Sequence, residues 1–185
     1  MRLNRLIGWA WKVPQMRFRQ LRSVTQKLLL ITIGVAGMLG FTAVALATPP
    51  MGILFNIILS TGVASDDLDE RVRIGEWRAT VDTKGATDFY MQDLAIAPGG
   101  YTGWHYHPGI FVGTVISGSI DFYDKDCHLK TFTAGQVWTE AESVHAIANH
   151  GTEDFHGQFV YFIKHGEARR IDSPAPACAP ITGIP

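Results

Sequence analysis

Two histidines separated by one residue are the feature of this 185-residue sequence that most clearly could perform chemistry. They are His105 and His107, in the stretch GWHYHPG at residues 103–109. Residues i and i+2 of a β-strand project from the same face, so both imidazoles would enter the same space. Two neighbouring imidazoles inside a fold are costly unless something binds their lone pairs, and a divalent metal ion does so directly. The spacing therefore predicts a metal site.

A second polar stretch can complete that site. It contains His145 at the point where a new strand is expected to begin. A strand, a short turn and a histidine on the next strand can bring a third imidazole across a barrel, which makes His145 the predicted third ligand. Of the two acidic residues just before it, Glu140 and Glu142, we predict Glu140 as the catalytic proton acceptor. Gln92 and Asp93, on an earlier predicted strand, are candidates to orient a ligand histidine.

The elements that must position these residues are short β-strands. Segments rich in Val, Ile, Phe, Tyr and Thr alternate with turns that contain Gly, Pro, Asn or Asp. The pattern predicts strands near residues 72–81, 88–97, 103–107, 110–117, 119–123, 129–133, 136–140, 145–148 and 158–164. It assigns no strand to the apolar residues 48–63, and it predicts a solvated turn over the acidic residues 65–70. Many short strands without a sustained helical period favour an all-β sandwich or barrel.

The first 47 residues differ in character from the rest. Residues 1–27 carry basic side chains and no acid, so all 17 acidic residues follow them, which argues against a nucleic-acid partner. Residues 28–47 are uncharged, mostly apolar and about long enough to cross a bilayer as a helix. They end in Ala-Leu-Ala, which a signal peptidase accepts. A cleaved signal peptide and an uncleaved membrane anchor both remain open, and both place the body outside the cytoplasm.

Both cysteines, Cys127 and Cys178, follow the apolar segment. An even pair in an exported body predicts a disulfide. It would tie the Pro- and Ala-rich tail, residues 171–185, to the domain predicted over residues 48–170. Closing such a loop stabilises a fold by about 4 kcal/mol on the chain-entropy model.

Over roughly residues 87–166 the sequence resembles the cupin superfamily, whose first motif reads Gly-x5-His-x-His-x3–4-Glu-x6-Gly. Gly99, His105, His107 and Gly118 match this motif. The glutamate position holds Phe111, so the usual acidic ligand of the family is missing. The resemblance therefore implies a three-histidine site unless another carboxylate enters it.

The second motif of the family reads Gly-x5-Pro-x-Gly-x2-His-x3-Asn. Gly135, His145 and Asn149 match it, whereas Ala141 and Ser143 stand in place of the proline and the second glycine. The approach to the histidine is also one residue shorter than in the family. The resemblance thus supports His145 as a ligand on a modified turn.

Residues 97–107, 126–127 and 170–178 further resemble a group of small exported bacterial cupins. The resemblance implies a single cupin β-barrel, a double-sheet jelly roll, preceded by the N-terminal apolar signal or anchor helix. It implies one divalent transition metal ion (Fe, Mn, Zn, Ni or Cu) and a small-molecule ligand. Our leading hypothesis is a metal-dependent enzyme of oxygenase or isomerase type. A non-catalytic binding module and a scaffold with a vestigial site are the alternatives. Because cupin barrels often pair through a sheet edge, a homodimer is also expected.

Overall fold

The computed structural model describes residues 47–185, which fold into strands and one short 3-10 helix, Ala179–Ile181. The sequence pattern explains the strands, since apolar side chains alternate with polar or half-exposed ones along most of them. The strands are β1 (Met51–Ala64), β2 (Asp69–Ile74), β3 (Trp77–Asp82), β4 (Thr87–Tyr101), β5 (His105–Tyr106), β6 (Gly109–Ser117), β7 (Ser119–Asp124), β8 (Leu129–Thr133), β9 (Val137–Ala141), β10 (His145–Ala148), β11 (Phe155–Lys164) and β12 (Ile171–Asp172).

Ten of these strands form one continuous antiparallel sheet that closes into a barrel-like fold. One run has the order β1-β4-β11-β6-β9, and the other has the order β12-β5-β10-β7-β8. The two runs join where Ala148 of β10 pairs with Tyr101 at the end of β4. This arrangement confirms the predicted all-β barrel. Strands β2 and β3 form a separate hairpin.

Two apolar clusters hold the sheet. The first lies between the two runs and includes Leu94, Phe111, Trp138, Phe159 and Tyr161. The second lies on the other face of the β5-β10-β7 region, under the C-terminal tail. Its members are Trp104, Tyr123, Cys127, Ala146, Ala148, Ala179 and Ile184. Strand β10 is therefore covered on both faces, which explains why all four of its residues are buried.

The disulfide between Cys127 and Cys178 confirms the predicted pairing. It fixes the tail against the turn that follows β7. Between the last long strand and this bond, β12 pairs with β5, and the amide of Ser173 donates to the carbonyl of Trp104. The tail is thus hydrogen-bonded to β5, which contains His105 and is followed by His107.

Two strand predictions were wrong. Residues 72–81 are not one strand, because Gly75 adopts a positive φ and reverses the chain into a hairpin with a two-residue loop. Residues 48–63, which received no strand, contain β1, whose partner β4 lies beyond the hairpin in sequence. The predicted strands from residue 88 onwards each overlap an observed one, with ends that differ by a few residues.

The predicted signal or anchor helix over residues 28–47 lies outside the described residues, apart from Ala47. Among the residues that the structure describes, no helix has the length and apolar character needed to span a bilayer.

Candidate metal centre

Three buried histidines meet at one end of the barrel. His105 begins β5, His107 follows that short strand, and His145 begins β10. The register pairs His145 directly with His105. The ring centroids of these two lie 4.3 Å apart, and each ring is also within 5.3 Å of that of His107. One nitrogen from each ring lies within 4.8 Å of the other two, so the three can surround a single ion.

Each of these imidazoles is oriented by a backbone carbonyl. Nδ1 of His105 lies 2.9 Å from the oxygen of Gly103, and Nδ1 of His145 lies 2.9 Å from that of Ser143. Nδ1 of His107 lies 2.6 Å from the oxygen of Arg169. Because a carbonyl can only accept, Nδ1 carries the proton in all three rings, and Nε2 of a neutral ring keeps a free lone pair. This is the arrangement that histidine ligands of metal ions adopt.

Burial keeps two of the rings neutral. Loss of hydration lowers the pKa of His105 well below its ordinary value of 6.5, and it lowers the pKa of His107 to about 3. Neighbouring imidazoles and the guanidinium of Arg170 act in the same direction on both. At neutral pH these rings therefore present lone pairs to the cavity, which is the form that binds a metal.

Gly103 fixes the position of the first of these carbonyls. Its φ is positive, and a Cβ at this position would lie 2.1 Å from the carbonyl oxygen of Thr48. Only glycine combines that backbone conformation with so close an approach of another chain segment. The glycine thus sets the carbonyl that orients His105.

The carboxylate of Glu140 is buried beside the imidazoles. Its Oε1 lies 2.9 Å from Nε2 of His145 and 3.9 Å from Nε2 of His107, and its side chain is 8% exposed. Neither carboxylate oxygen has a hydrogen-bond donor among the described residues. A carboxylate that faces imidazole lone pairs at this distance is unfavourable unless a proton or a cation lies between them. The donor set of nitrogen and oxygen atoms fits a divalent transition metal.

A cavity opens onto these groups. Its empty volume is about 610 Å³, which includes open solvent at the mouth. Apolar side chains make up much of the wall, among them Ile53, Leu94, Phe111, Trp138, Ile147 and Phe159. Phe111 and Trp138 can close in because Gly113, which pairs with Trp138 across β6 and β9, has no side chain. A Cβ there would lie 2.7 Å from the Trp138 ring and 2.8 Å from the Phe111 ring.

Comparison with known proteins identifies the barrel. The family model described as "Cupin domain" matches residues 93–161, which span the cavity strands from β4 to β11. Residues 93–161 are thus identified as a cupin domain within the barrel. No curated protein sequence matches the chain significantly.

The solved structures that match this chain share little of its sequence. A cupin domain from Bordetella pertussis is 17% identical, with 64% of this chain and 99% of that chain covered and a TM-score of 0.41. A protein with a double-stranded β-helix domain from Klebsiella pneumoniae is 22% identical, with 59% and 80% covered and a TM-score of 0.42. A DMSP lyase from Ruegeria pomeroyi is 14% identical, with 47% and 44% covered and a TM-score of 0.43.

Glu140 lies beside the position at which the cupin motif usually has a glutamate. Phe111 occupies the place of the family's glutamate on β6, and Glu140 is its direct partner on β9. Paired residues of an antiparallel ladder project from the same face, so Glu140 enters the cavity beside Phe111. Phe111 itself stacks on the ring of His107, with the centroids 5.6 Å apart. The carboxylate is thus supplied from the neighbouring strand.

Gln92 and Asp93, the candidates to orient a ligand histidine, form no hydrogen bond with the three imidazoles. Backbone carbonyls take that role, because the short loops around β5 and β10 bring their oxygens to Nδ1. Asp93 instead accepts from Nε2 of His156 at 2.7 Å. Gln92 lines the cavity, where its side-chain oxygen accepts from the hydroxyl of Tyr161.

Sequence reasoning missed two cavity residues, Arg169 and Arg170. They follow β11, where the sequence suggests the end of the barrel and the start of a tail. The carbonyl of Arg169 holds His107, and the guanidinium of Arg170 donates to the carbonyl of Thr102 at 2.8 Å. The pairing of β12 with β5, which the spacing of motifs does not indicate, returns this segment to the cavity.

Proposed function

We propose that this cupin is an exported, metal-dependent enzyme that acts on a small organic molecule in the cavity. The observation that carries the proposal is the convergence of three Nε2 lone pairs and one buried carboxylate on the same space. In this proposal His105, His107 and His145 bind one divalent transition ion, and the substrate occupies the apolar cavity beside them. Such an ion would polarise an oxygen ligand, lower the pKa of a bound water, or, as iron, react with oxygen.

The orientation of the rings supports metal binding over ordinary core packing. Buried histidines that serve only the core use both ring nitrogens in hydrogen bonds within the protein. Here each Nδ1 is satisfied by a carbonyl, and Nε2 is directed to a cavity that also receives Glu140. A single ion would satisfy the three Nε2 atoms together, with the carboxylate of Glu140 beside it.

We propose Glu140 as the proton acceptor of the reaction. Both of its oxygens are buried and without a hydrogen-bond donor, and it lines the same cavity as the imidazoles. A carboxylate within hydrogen-bond reach of a bound substrate can act as its proton acceptor. Glu140 can therefore take a proton from a bound substrate and return it at another atom, the exchange that isomerase-type chemistry needs.

Export is supported by two independent features. The basic head and apolar residues 28–47 have the composition of a secretion or anchor segment. The disulfide between Cys127 and Cys178 is typical of proteins that fold in an oxidising compartment. The proposed location is the periplasm or the outer surface, with membrane contact limited to the apolar segment.

Metal analysis of the purified full-length chain tests the first part of the proposal. We expect about one equivalent of a transition metal, lost in the variant His105→Ala/His107→Ala. The matched control is His150→Ala/His165→Ala, which removes two exposed imidazoles and should keep the metal. A wild-type protein without metal after growth and refolding with each of the five candidate ions would contradict the proposal and favour a vestigial site.

Turnover assays test the second part. The metal-loaded protein is tested for oxygen uptake with panels of thiols, diketones and phenols, and for proton exchange on the diketones by NMR. Consumption of any of these compounds that His145→Ala abolishes would support an enzyme. Saturable binding without product across the panels would instead identify a non-catalytic binding module.

A further inference from the structure

One arginine in the cavity has no acidic partner. Arg169 and Arg170 both line the cavity that holds the three histidines. Arg170 forms an ion pair with Asp172, with 2.7 Å between Nε and Oδ1. No ion pair between described residues includes Arg169, although Arg169 is half-buried. Glu140 lines the same cavity but forms no ion pair with Arg169. A partly desolvated guanidinium without an ion-pair partner attracts an anion.

The guanidinium of Arg169 is held in place rather than free to leave the cavity. Its Nη1 donates to the side-chain oxygen of Gln92 at 2.7 Å, and its carbon lies 4.9 Å from the centre of the Tyr161 ring. The hydroxyl of Tyr161 donates to the same Gln92 oxygen, and the Gln92 amide donates to Asn56 at 2.6 Å. This network uses one of the five donors of the guanidinium, so the others remain to bind a ligand.

Arg169 is also tied to the candidate metal centre by its own backbone. Its carbonyl accepts from Nδ1 of His107, so its Cα cannot move away without disturbing that imidazole. An anion on the guanidinium would therefore be held at a set distance from the reacting centre. This is the geometry by which an enzyme positions the non-reacting end of a substrate.

The wall of the cavity limits what the anion can be attached to. Phe111, Trp138 and Phe159 present aromatic faces, and Leu94 and Ile147 present aliphatic ones. A phosphate would find few hydrogen-bond donors on these surfaces, because the polar lining residues Asn56, Gln92 and Tyr161 already bond one another. An organic acid with an apolar body would match both the guanidinium and the wall.

We infer that the substrate of this cupin is a small organic acid with an apolar body, whose carboxylate is bound by Arg169. The inference rests on the proposed function in taking this cavity as the substrate site. The planar guanidinium matches a carboxylate through two parallel hydrogen bonds, which a neutral amide cannot reproduce.

The experiment compares acids with their neutral amides. Binding of benzoate, hexanoate, benzamide and hexanamide to the full-length chain is followed by calorimetry, both metal-loaded and after removal of metal. We expect each acid to bind at least about tenfold more tightly than its amide, also without metal, because the charged hydrogen bonds come from Arg169. Arg169→Gln should abolish this preference while the metal content stays unchanged.

Two further variants separate recognition from general effects. Arg78→Gln removes an equal charge from the exposed strand β3 and should keep the preference. Arg169→Lys should keep part of it, since the charge remains but the planar fork is lost. Equal affinity for acids and amides, an unchanged preference in Arg169→Gln, or a loss in Arg78→Gln would each overturn the inference. A wild-type protein that takes up none of the five candidate ions but still prefers acids would contradict the metal-dependent enzyme and support the acid-binding site alone.

Discussion

The cavity and the β2–β3 hairpin invert the usual distribution of polar and apolar groups in opposite ways. In the cavity, three imidazoles and the carboxylate of Glu140 are buried. In the hairpin, every residue of the two strands except Ala79 is exposed, including Ile74 and Trp77. Buried polar groups are costly without partners, and an isolated two-stranded hairpin is marginally stable in water. The cavity is therefore expected to bind an ion or ligand, and the hairpin is expected to contact another surface.

The two regions differ in how strongly the fold restrains them. Around the cavity, carbonyls from three separate segments orient the imidazoles, and the tail is fixed by β12 and the disulfide. The hairpin has ladder hydrogen bonds between its own strands and a few contacts at its base, such as that of Leu68 with Thr83. Rigid support of buried polar groups is expected where chemistry occurs. Exposed apolar groups on a weakly supported element are expected where another surface docks.

The largest expected effect is a loss of metal affinity when an imidazole of the cavity is removed. His145→Ala should lower metal affinity by more than the about 10- to 100-fold that loss of a supporting hydrogen bond costs. His150→Ala, a histidine on an exposed turn, is the control and should bind metal normally. The affinities can be measured by competition with a chromophoric chelator. Equal metal affinity in the two variants would show that the cavity histidine contributes no more to metal binding than a surface histidine does.

Replacing Glu140 should separate metal binding from turnover. Glu140→Gln keeps the size of the side chain but cannot accept a proton, so kcat should fall by about 10²- to 10⁴-fold once a substrate is known. The metal content should stay near that of the wild type. Glu142→Gln, on the exposed turn after β9, is the matched control. A loss of metal in Glu140→Gln would instead show that the carboxylate is a required ligand.

Removing the disulfide tests whether the tail supports the cavity. Cys127→Ser/Cys178→Ser opens a loop with a sequence separation of 51 residues, and we expect the free energy of unfolding to fall by about 4 kcal/mol. Urea denaturation of oxidised wild type and variant measures this change. Since β12 pairs with the strand that carries His105, metal affinity should fall as well. Unchanged affinity would show that β12 holds β5 without help from the bond.

A change of pH should have a smaller effect on the free energy of unfolding. In the metal-free protein, folded His107 gains a proton only near pH 3, whereas an unfolded histidine gains it near pH 6.5. The unfolded state therefore binds more protons between these values, and stability should decline as the pH falls from about 6.5. His107→Gln should flatten this decline in denaturation curves recorded at pH 7, 6 and 5. An identical slope in both proteins would indicate that other groups cause it.

The smallest effect on the cavity should follow from changes in the hairpin. Ile74→Lys/Trp77→Lys should leave metal content unchanged and alter the free energy of unfolding by no more than about 0.5 kcal/mol. The homodimer expected from the sequence stays a prediction, and light scattering of this variant tests it. A dimeric wild type and a monomeric variant would place the contact on the hairpin. A change in metal content would show that the hairpin and the cavity are coupled.

Local periodicity predicted part of this molecule well. The i, i+2 rule placed His105 and His107 on one side of a strand, and the cupin motifs indicated His145. Arg169 was missed because nothing local in its sequence distinguishes it from a surface residue of a tail. Its place in the cavity depends on the pairing of β12 with β5, a contact between segments far apart in the chain.

The errors near the start of the described chain have the same cause. In residues 72–81 the alternation of apolar residues continues across Gly75, so the pattern alone does not separate one strand from a hairpin. Strand β1 has apolar residues on both faces, and only its pairing with β4 identifies it as a strand. Backbone carbonyls orient all three imidazoles, and residue types alone do not show which carbonyls these are.

The missing side chain of Gly113 has a consequence for ligand choice. The aromatic rings of Phe111 and Trp138 occupy the space that a methyl group at this position would need. An alanine would have to displace one or both rings, and the room that they leave for a ligand would change with them. The room for a ligand therefore depends on a residue that does not itself line the cavity. Gly113→Ala should shift the preferred chain length in a series of fatty acids before it alters the charge that the cavity selects.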